Sequence, residues 1–198
     1  MLGQRPNPWL VLAVLGGVAY PPLAYFGMSA LSPAAVALLG VCLLASRLLG
    51  VRRSAESGRW VVAFLLAAAA LLASLILAPD LAVKAYPVLV SLAVAGGFAI
   101  SLVFPPTVIE RIARLREPDL PPAGVAYTRK VTVIWLAFLV GNAAISAATG
   151  LWGSLALWTL WNGLLSYVLM GGLFAGEFMY RQLARRRGAC ATSGFPTC

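Results

Sequence analysis

Residues 104–122 read FPPTVIERIARLREPDLPP and lie between two long apolar stretches of the chain. Six of these residues are charged, whereas the whole 198-residue chain has only 15 basic and 6 acidic residues. Pairs of prolines stand near both ends of the stretch, at 105–106 and 121–122. Because proline removes a backbone donor and clashes with the preceding turn, such pairs favour helix ends. The stretch therefore predicts two apolar helices separated by a polar connection.

The composition is that of a membrane protein. Hydrophobic residues make up 61% of the chain and charged residues 11%, well below the quarter or so that is usual in soluble domains. A transmembrane helix needs roughly 20 mainly apolar residues. Six segments meet this need, at about 8–27, 32–50, 60–78, 83–104, 131–149 and 153–179. The sequence predicts one all-α polytopic membrane domain over 1–187, with about six spans in three hairpins, and a disordered tail over 188–198.

The distribution of basic residues predicts the orientation of the spans. Arginines and lysines precede the first segment, fill the second and fourth connections and follow the sixth segment. Of the lysines and arginines, only Lys84 belongs to the first, third and fifth connections. Because short cytoplasmic loops carry an excess of Lys and Arg, both termini and both basic connections are expected in the cytoplasm. The net charge of +9 is thus read as topology information, and no nucleic-acid partner is expected.

The charged stretch itself predicts a short amphipathic helix in the fourth connection. Val108, Ile112 and Leu115 recur at helical spacing, and Thr107 with Glu110 forms a capping-box pattern. Two interpretations stay open: a linker helix lying in the headgroup layer, or a docking surface for anionic lipids or an acidic protein. The candidate docking residues are Arg111, Arg114, Arg116, Arg129 and Lys130.

Three polar side chains lie within or beside the last two apolar segments. Asn142 and Asn162 are equally far from the turn near Trp152, so they are expected at one depth and within hydrogen-bonding distance of each other. Glu177 is followed at i+4 by Arg181, which predicts an ion pair. The two asparagines are open to two interpretations, adhesion between helices or a polar binding site within the bundle. Glu177 is either one partner of an ion pair at the cytoplasmic end of the span or a proton-coupling or binding carboxylate.

The residue inventory restricts the chemistry. The chain has no histidine and three cysteines, so triads based on histidine and four-ligand zinc sites without carboxylates are excluded. No catalytic residue, metal or cofactor is predicted.

Residues 86–149 and 160–181 resemble a known group of proteins. The blocks ER-ARL-EPDLP, YTRKVT-W, WNG and FAGE are similar to small uncharacterised bacterial inner-membrane proteins encoded in aryl-polyene and xanthomonadin-type pigment clusters. A more distant similarity runs to the intracellular septation protein A family. The resemblance implies an inner-membrane location and a role beside acyl-carrier-protein-dependent polyene synthesis.

Three functions are compatible with these observations. The first is a non-enzymatic accessory protein that anchors soluble biosynthetic proteins, such as acyl carrier proteins, at the cytoplasmic face of the inner membrane. The second is a carrier or flippase for a hydrophobic product or lipid, with Asn142 and Asn162 on its path. The third is an intramembrane enzyme, which the sequence favours least because its few acids have no histidine or second metal ligand nearby.

Overall fold

A computed structural model describes residues 8–27, 31–51 and 57–193, with side chains for 15–27, 31–47 and 60–182. The described residues form helices and connections, without a strand. The helices are α1 (Pro8–Gly27), α2 (Pro33–Val51), α3 (Ser57–Leu77), α4 (Pro79–Val103), α5 (Val108–Arg114), α6 (Pro122–Trp152), α7 (Leu155–Leu160) and α8 (Ser166–Ser193), and a π-helical segment, Trp161–Leu165, joins α7 to α8. The predicted all-α class is confirmed.

Within the described residues, four helical stretches are long and apolar enough to cross a membrane: Trp60–Leu77, Pro79–Val103, Pro122–Trp152 and Leu155–Gln182. A shorter apolar stretch, Pro33–Arg47, lies on α2. Large apolar side chains such as Ile76 and Leu77 are more than 80% exposed. Helices of this length with apolar outer surfaces are typical of transmembrane bundles, whose solvent is lipid.

Helix α4 lies at the centre of the bundle and packs against α2, α3 and α6. Helix α1 packs against α2 and also reaches α7 and the π segment, where Gly163 leaves room for Pro21 and Pro22. The larger buried cluster joins these elements through side chains that include Tyr20, Leu71 and Trp158. A second cluster, around Phe98 and Trp135, joins α4 to α6 and positions α5.

The fifth predicted segment begins too late. Helix α6 starts at Pro122, nine residues before the predicted start at Val131. Proline is favoured at the first position of a helix, and most of the residues that follow Pro122 have adequate helix propensity. The charges at 129–130 therefore do not prevent the helix from beginning before them. Arg129 and Lys130 therefore lie on α6 and not in a loop.

The last predicted segment also differs from the observed helices. It is divided into α7, one π turn and α8, and α8 continues to Ser193. Residues 188–193, which fall in the predicted tail 188–198, continue α8 as helix. Residues 194–198 lie outside the described part of the chain.

Candidate functional site

The short helix α5 begins with a complete capping box and is hydrogen-bonded to the end of α4. The Thr107 side chain accepts a hydrogen bond from the Glu110 backbone N–H at 3.3 Å, and the Thr107 backbone N–H donates to Glu110 Oε2 at 3.4 Å. In addition, the Val108 N–H donates to Ser101 Oγ on α4 at 3.2 Å. These bonds satisfy backbone donors that a helix N-terminus otherwise leaves unpaired, so the predicted capping box is confirmed.

The carboxylate of Glu110 is buried and paired. Arg114 Nη2 lies 2.9 Å from Glu110 Oε1, and Arg114 Nη1 donates to the Pro118 carbonyl oxygen at 2.9 Å. The predicted i, i+4 pair is therefore present. Arg114 therefore stabilises α5 and the connection that follows it, in addition to being a candidate docking residue.

The apolar residues of α5 do not all share one environment. Val108 and Ile109 pack against the inner cluster around Phe98 and Trp135. Ile112 is 57% exposed and Leu115 is 85% exposed. The helix thus has one apolar edge in the bundle and a second that faces outward, as expected for a helix at a membrane surface.

The other candidate docking residues lie at the same end of the bundle. Arg116 and Lys130 are exposed, and Arg111 is half-buried with interactions of its own. Arg129 is exposed and donates from Nη1 to the Leu102 carbonyl oxygen in the last turn of α4 at 3.0 Å. A cation near the C-terminus of a helix is electrostatically favourable, so Arg129 stabilises the α4 end.

A groove of about 1000 Å³ opens between the connection after α5, the start of α6 and the middle of α8. Arg116, Glu117, Glu177 and Arg181 contribute charged side chains to it. Apolar and aromatic side chains form the rest of its wall, among them Ile112, Leu120, Tyr127, Phe174 and Phe178. This groove brings candidates from the charged stretch together with Glu177.

Glu177 is paired within α8, as predicted. Arg181 Nε donates to Glu177 Oε1 at 3.1 Å, and Arg181 Nη2 contacts the same oxygen. Next to this pair, the rings of Tyr127 on α6 and Tyr180 on α8 stack with centroids 5.6 Å apart. The stacking brings the two helices together on one side of the groove.

The predicted hydrogen bond between Asn142 and Asn162 is wrong. Asn142 Nδ2 donates to Ser91 Oγ on α4 at 3.1 Å, and its Oδ1 accepts from Trp161 Nε1 at 3.2 Å. Asn162 Oδ1 accepts from Ser146 Oγ at 2.7 Å, and its Nδ2 donates to the Trp158 carbonyl oxygen at 2.9 Å. Each amide therefore connects two helices, an arrangement suited to adhesion in a lipid environment.

Sequence reasoning missed a polar cluster around Arg47. This arginine was grouped with the basic residues around the second connection, at the end of the predicted segment 32–50; it lies within α2, one turn before Val51, and is half-buried. A methyl group at Gly17 on α1 would lie 2.5 Å from Arg47 Nη2 and 3.7 Å from the Tyr86 hydroxyl. The guanidinium therefore lies beside the backbone of α1, and Tyr86 and Tyr167 interact with it electrostatically.

Tyrosines line the neighbouring interior. Tyr20 donates its hydroxyl proton to the Val83 carbonyl oxygen at 3.0 Å, and its ring lies 4.3 Å from that of Tyr86, centroid to centroid. An arginine inside a membrane bundle is costly and is a default candidate for function. The available signal was that four apolar or small residues, 48–51, follow Arg47 before α2 ends.

Among the residues described here, no three His, Cys, Asp or Glu side chains come together in a way that could hold a metal ion. Comparison of the chain with protein-family models, curated proteins and solved structures gave no match. The resemblance to proteins of pigment clusters and to the septation protein A family therefore stays a prediction, and the candidate groove is supported by its own geometry.

Proposed function

We propose that the chain is a multi-pass protein of the bacterial inner membrane with six spans and both termini in the cytoplasm. The support comes from six apolar segments and from basic connections that alternate with nearly uncharged ones. In this topology the groove, α5 and the end of α8 face the cytoplasm.

The topology is testable by cysteine labelling in a variant whose native cysteines are replaced by serine. Asp80→Cys reports on the first turn of α4, next to the connection from α3, and Asp119→Cys on the connection before α6. A membrane-impermeant maleimide should label the first in intact spheroplasts and the second only after lysis. The reverse pattern, or equal labelling, would reject the six-span orientation.

The function supported best is that of a non-enzymatic accessory protein that anchors acidic soluble proteins at the cytoplasmic membrane face. One observation carries this proposal: residues 108–130 and 177–187 contain nine basic and four acidic side chains, on elements that meet at one end of the bundle. A surface of one sign attracts partners of the other sign and accelerates their association.

Local rigidity adds to this support. The capping box and the Glu110–Arg114 pair fix α5, and Arg129 holds the start of α6 to the end of α4. Charges on a fixed framework lose less conformational freedom when a partner binds. The sequence resemblance points to polyene or fatty-acid-like synthesis, and acyl carrier proteins, which are acidic, are the partners that we propose.

The test uses the full chain in phosphatidylcholine nanodiscs and an acyl carrier protein from the same cell. Arg116→Gln, Arg129→Gln and Lys130→Gln are combined, because these side chains are exposed. Losing three favourable charges should weaken binding at least tenfold, on the order of 0.5–1 kcal/mol each. The charge-retaining control is Arg116→Lys, Arg129→Lys, Lys130→Arg. Absence of binding by the parent chain, or equal binding by the neutral variant, would overturn the proposal.

The second candidate, a carrier or flippase for a hydrophobic product or lipid, is favoured by the cluster of Arg47 with Tyr20, Tyr86 and Tyr167. Intramembrane cations often mark the path of a charged headgroup. The asparagines Asn142 and Asn162 favour it less, because their amide groups already bond to protein partners. Arg47→Met should then stop product export while the protein still inserts and folds; normal export would reject this function.

A further inference from the structure

The groove between α5, α6 and α8 lies where two spans begin or end. Its α6 side runs from Gly124 to Thr128, in the first turns of the span Pro122–Trp152. Its α8 side runs from Phe174 to Gln182, at the end of the span Leu155–Gln182. The groove therefore crosses the level at which hydrocarbon gives way to headgroups.

The two halves of the groove differ in polarity, as expected for a site at the edge of the hydrocarbon. The half nearer the middle of the span is apolar, and the half at the end of the span is polar. Phe174 and Phe178 are each 57% exposed and lie on the side nearer the middle of the span. Arg181 and Gln182 lie one turn further along α8, at the end of the span. A molecule that fits this groove has an apolar chain at one end and a polar group at the other.

The charged side chains of the groove determine which polar group it takes. Arg116 is exposed and makes no side-chain hydrogen bond or ion pair within the part of the chain that is described. Arg181 remains 34% exposed while paired with Glu177, and Glu117 has an interaction of its own. Beyond Arg181, helix α8 continues through Arg185, Arg186 and Arg187. The charged side chains that line the groove are thus two guanidinium groups and two carboxylates, and Arg116 is the guanidinium that no carboxylate pairs among the described residues.

We propose that this groove binds one anionic phospholipid of the surrounding leaflet. Its phosphate would lie against Arg116 and Arg181, since guanidinium groups donate two parallel hydrogen bonds to phosphate oxygens. One acyl chain would lie along Phe174 and Phe178. Basic pockets between membrane helices on the cytoplasmic side are the expected sites of anionic headgroups. A cavity of about 1000 Å³ is at the upper end of the sizes typical of small-molecule sites.

The geometry also predicts competition inside the site. Arg181 Nε already donates to Glu177 Oε1 at 3.1 Å. A bound phosphate would therefore share the Arg181 guanidinium with this carboxylate. Removing the carboxylate charge should strengthen lipid binding, whereas removing the free cation, Arg116, should weaken it. Opposite effects of two groove variants distinguish a specific site from a membrane surface that attracts anionic lipid diffusely.

The test is native mass spectrometry of the full chain in a non-ionic detergent, with equal amounts of phosphatidylglycerol or phosphatidylcholine added. The parent chain should retain phosphatidylglycerol in preference to phosphatidylcholine. Arg116→Gln should reduce retention of phosphatidylglycerol about fivefold, the effect of about one lost cation, and Glu177→Gln should increase it by a similar factor. Asp119→Asn, which removes one exposed acidic charge outside the groove lining, is the matched control for Glu177→Gln and should change retention less than about twofold.

A fourth variant tests the apolar half. Ala175 lines the groove and is exposed, so Ala175→Phe fills it without changing any charge. It should reduce retention of both lipids. The proposal is overturned if the two lipids are retained equally, if Arg116→Gln has no effect, if Glu177→Gln and Asp119→Asn act alike, or if Ala175→Phe has no effect. No protein partner is present in this assay, so its outcome is independent of the anchoring function.

Discussion

Ser146 on α6 donates its hydroxyl proton to Asn162 Oδ1 in the π segment across 2.7 Å, and neither side chain is more than 3% exposed. The same amide donates to the Trp158 carbonyl oxygen at 2.9 Å. A π turn is one residue wider than an α turn and often occurs where a side chain needs a special position. Here Asn162 lies within the π segment and joins it to α6.

We expect Ser146→Ala to destabilise the bundle by about 0.6–2 kcal/mol, because it removes this hydrogen bond and leaves a buried acceptor unpaired. Thermal unfolding in detergent measures the change. A double-mutant cycle with Asn162→Ala should give a coupling energy of similar size. Ser74→Ala is the control, because the Ser74 hydroxyl donates to the Ala70 carbonyl oxygen of its own helix. A coupling energy near zero between Ser146 and Asn162 would contradict the assignment.

Glu110→Gln should loosen α5 and the connection that follows it. The substitution keeps the shape of the side chain but removes the charge that binds Arg114 at 2.9 Å and weakens the capping box. We expect a loss of about 1–2 kcal/mol in local stability, measured as faster amide hydrogen exchange over residues 107–118.

Asp119→Asn provides the matched control for Glu110, because it removes one acidic charge from an exposed residue of the same connection. Its exchange should stay close to that of the parent chain. Equal acceleration in the two variants would mean that net charge, and not the buried pair, governs the order of α5.

The loss of stability caused by glycine-to-alanine substitutions in the spans should depend on which atoms the added methyl group would contact. At Gly97 it would lie 2.2–2.6 Å from the Trp60 ring, at Gly17 it would lie 2.5 Å from the Arg47 guanidinium, and at Gly171 it would meet nothing within 4 Å. A rigid aromatic ring yields less than the end of a flexible side chain. Gly97→Ala should therefore cost about 1–3 kcal/mol, Gly17→Ala less, and Gly171→Ala nothing.

Thermal unfolding followed by tryptophan fluorescence measures this ranking. For Gly17, the cost should disappear in the background of Arg47→Met, because the clashing group is then absent. If the stability loss of Gly17→Ala persists in the Arg47→Met background, the Arg47 guanidinium does not lie beside Gly17.

The features that sequence predicted correctly are local ones. The capping box at Thr107, the Glu110–Arg114 pair and the Glu177–Arg181 pair each depend on three- or four-residue spacing within one helix, which the sequence contains in full. The all-helical class followed from hydropathy, because a chain in lipid has few other ways to satisfy its backbone.

The rotation of each helix about its own axis could not be predicted in the same way. A span that is apolar all round has no polar face to indicate which side contacts protein, since lipid is as apolar as the bundle interior. For this reason the partners of Asn142 and Asn162 and the depth of Arg47 were missed. Arg47 was counted with Arg52, Arg53 and Arg59 as a basic residue of the second connection, although it lies within α2 and its guanidinium lies beside Gly17 of α1.

Lys84→Met should destabilise the end of the bundle opposite the groove. Lys84 Nζ donates to the Gly150 carbonyl oxygen at 3.0 Å, and Gly150 lies in the last turn of α6, where carbonyl groups have no partner within the helix. A charged donor at a helix C-terminus is worth about 1–3 kcal/mol when partly buried. Chemical unfolding should show a loss in this range, and protease sensitivity should rise near Gly153. Lys130→Met removes the same charge at an exposed site on α6 and should stay within about 0.5 kcal/mol of the parent. Equal losses in the two variants would mean that the Lys84 bond adds nothing to stability beyond its charge.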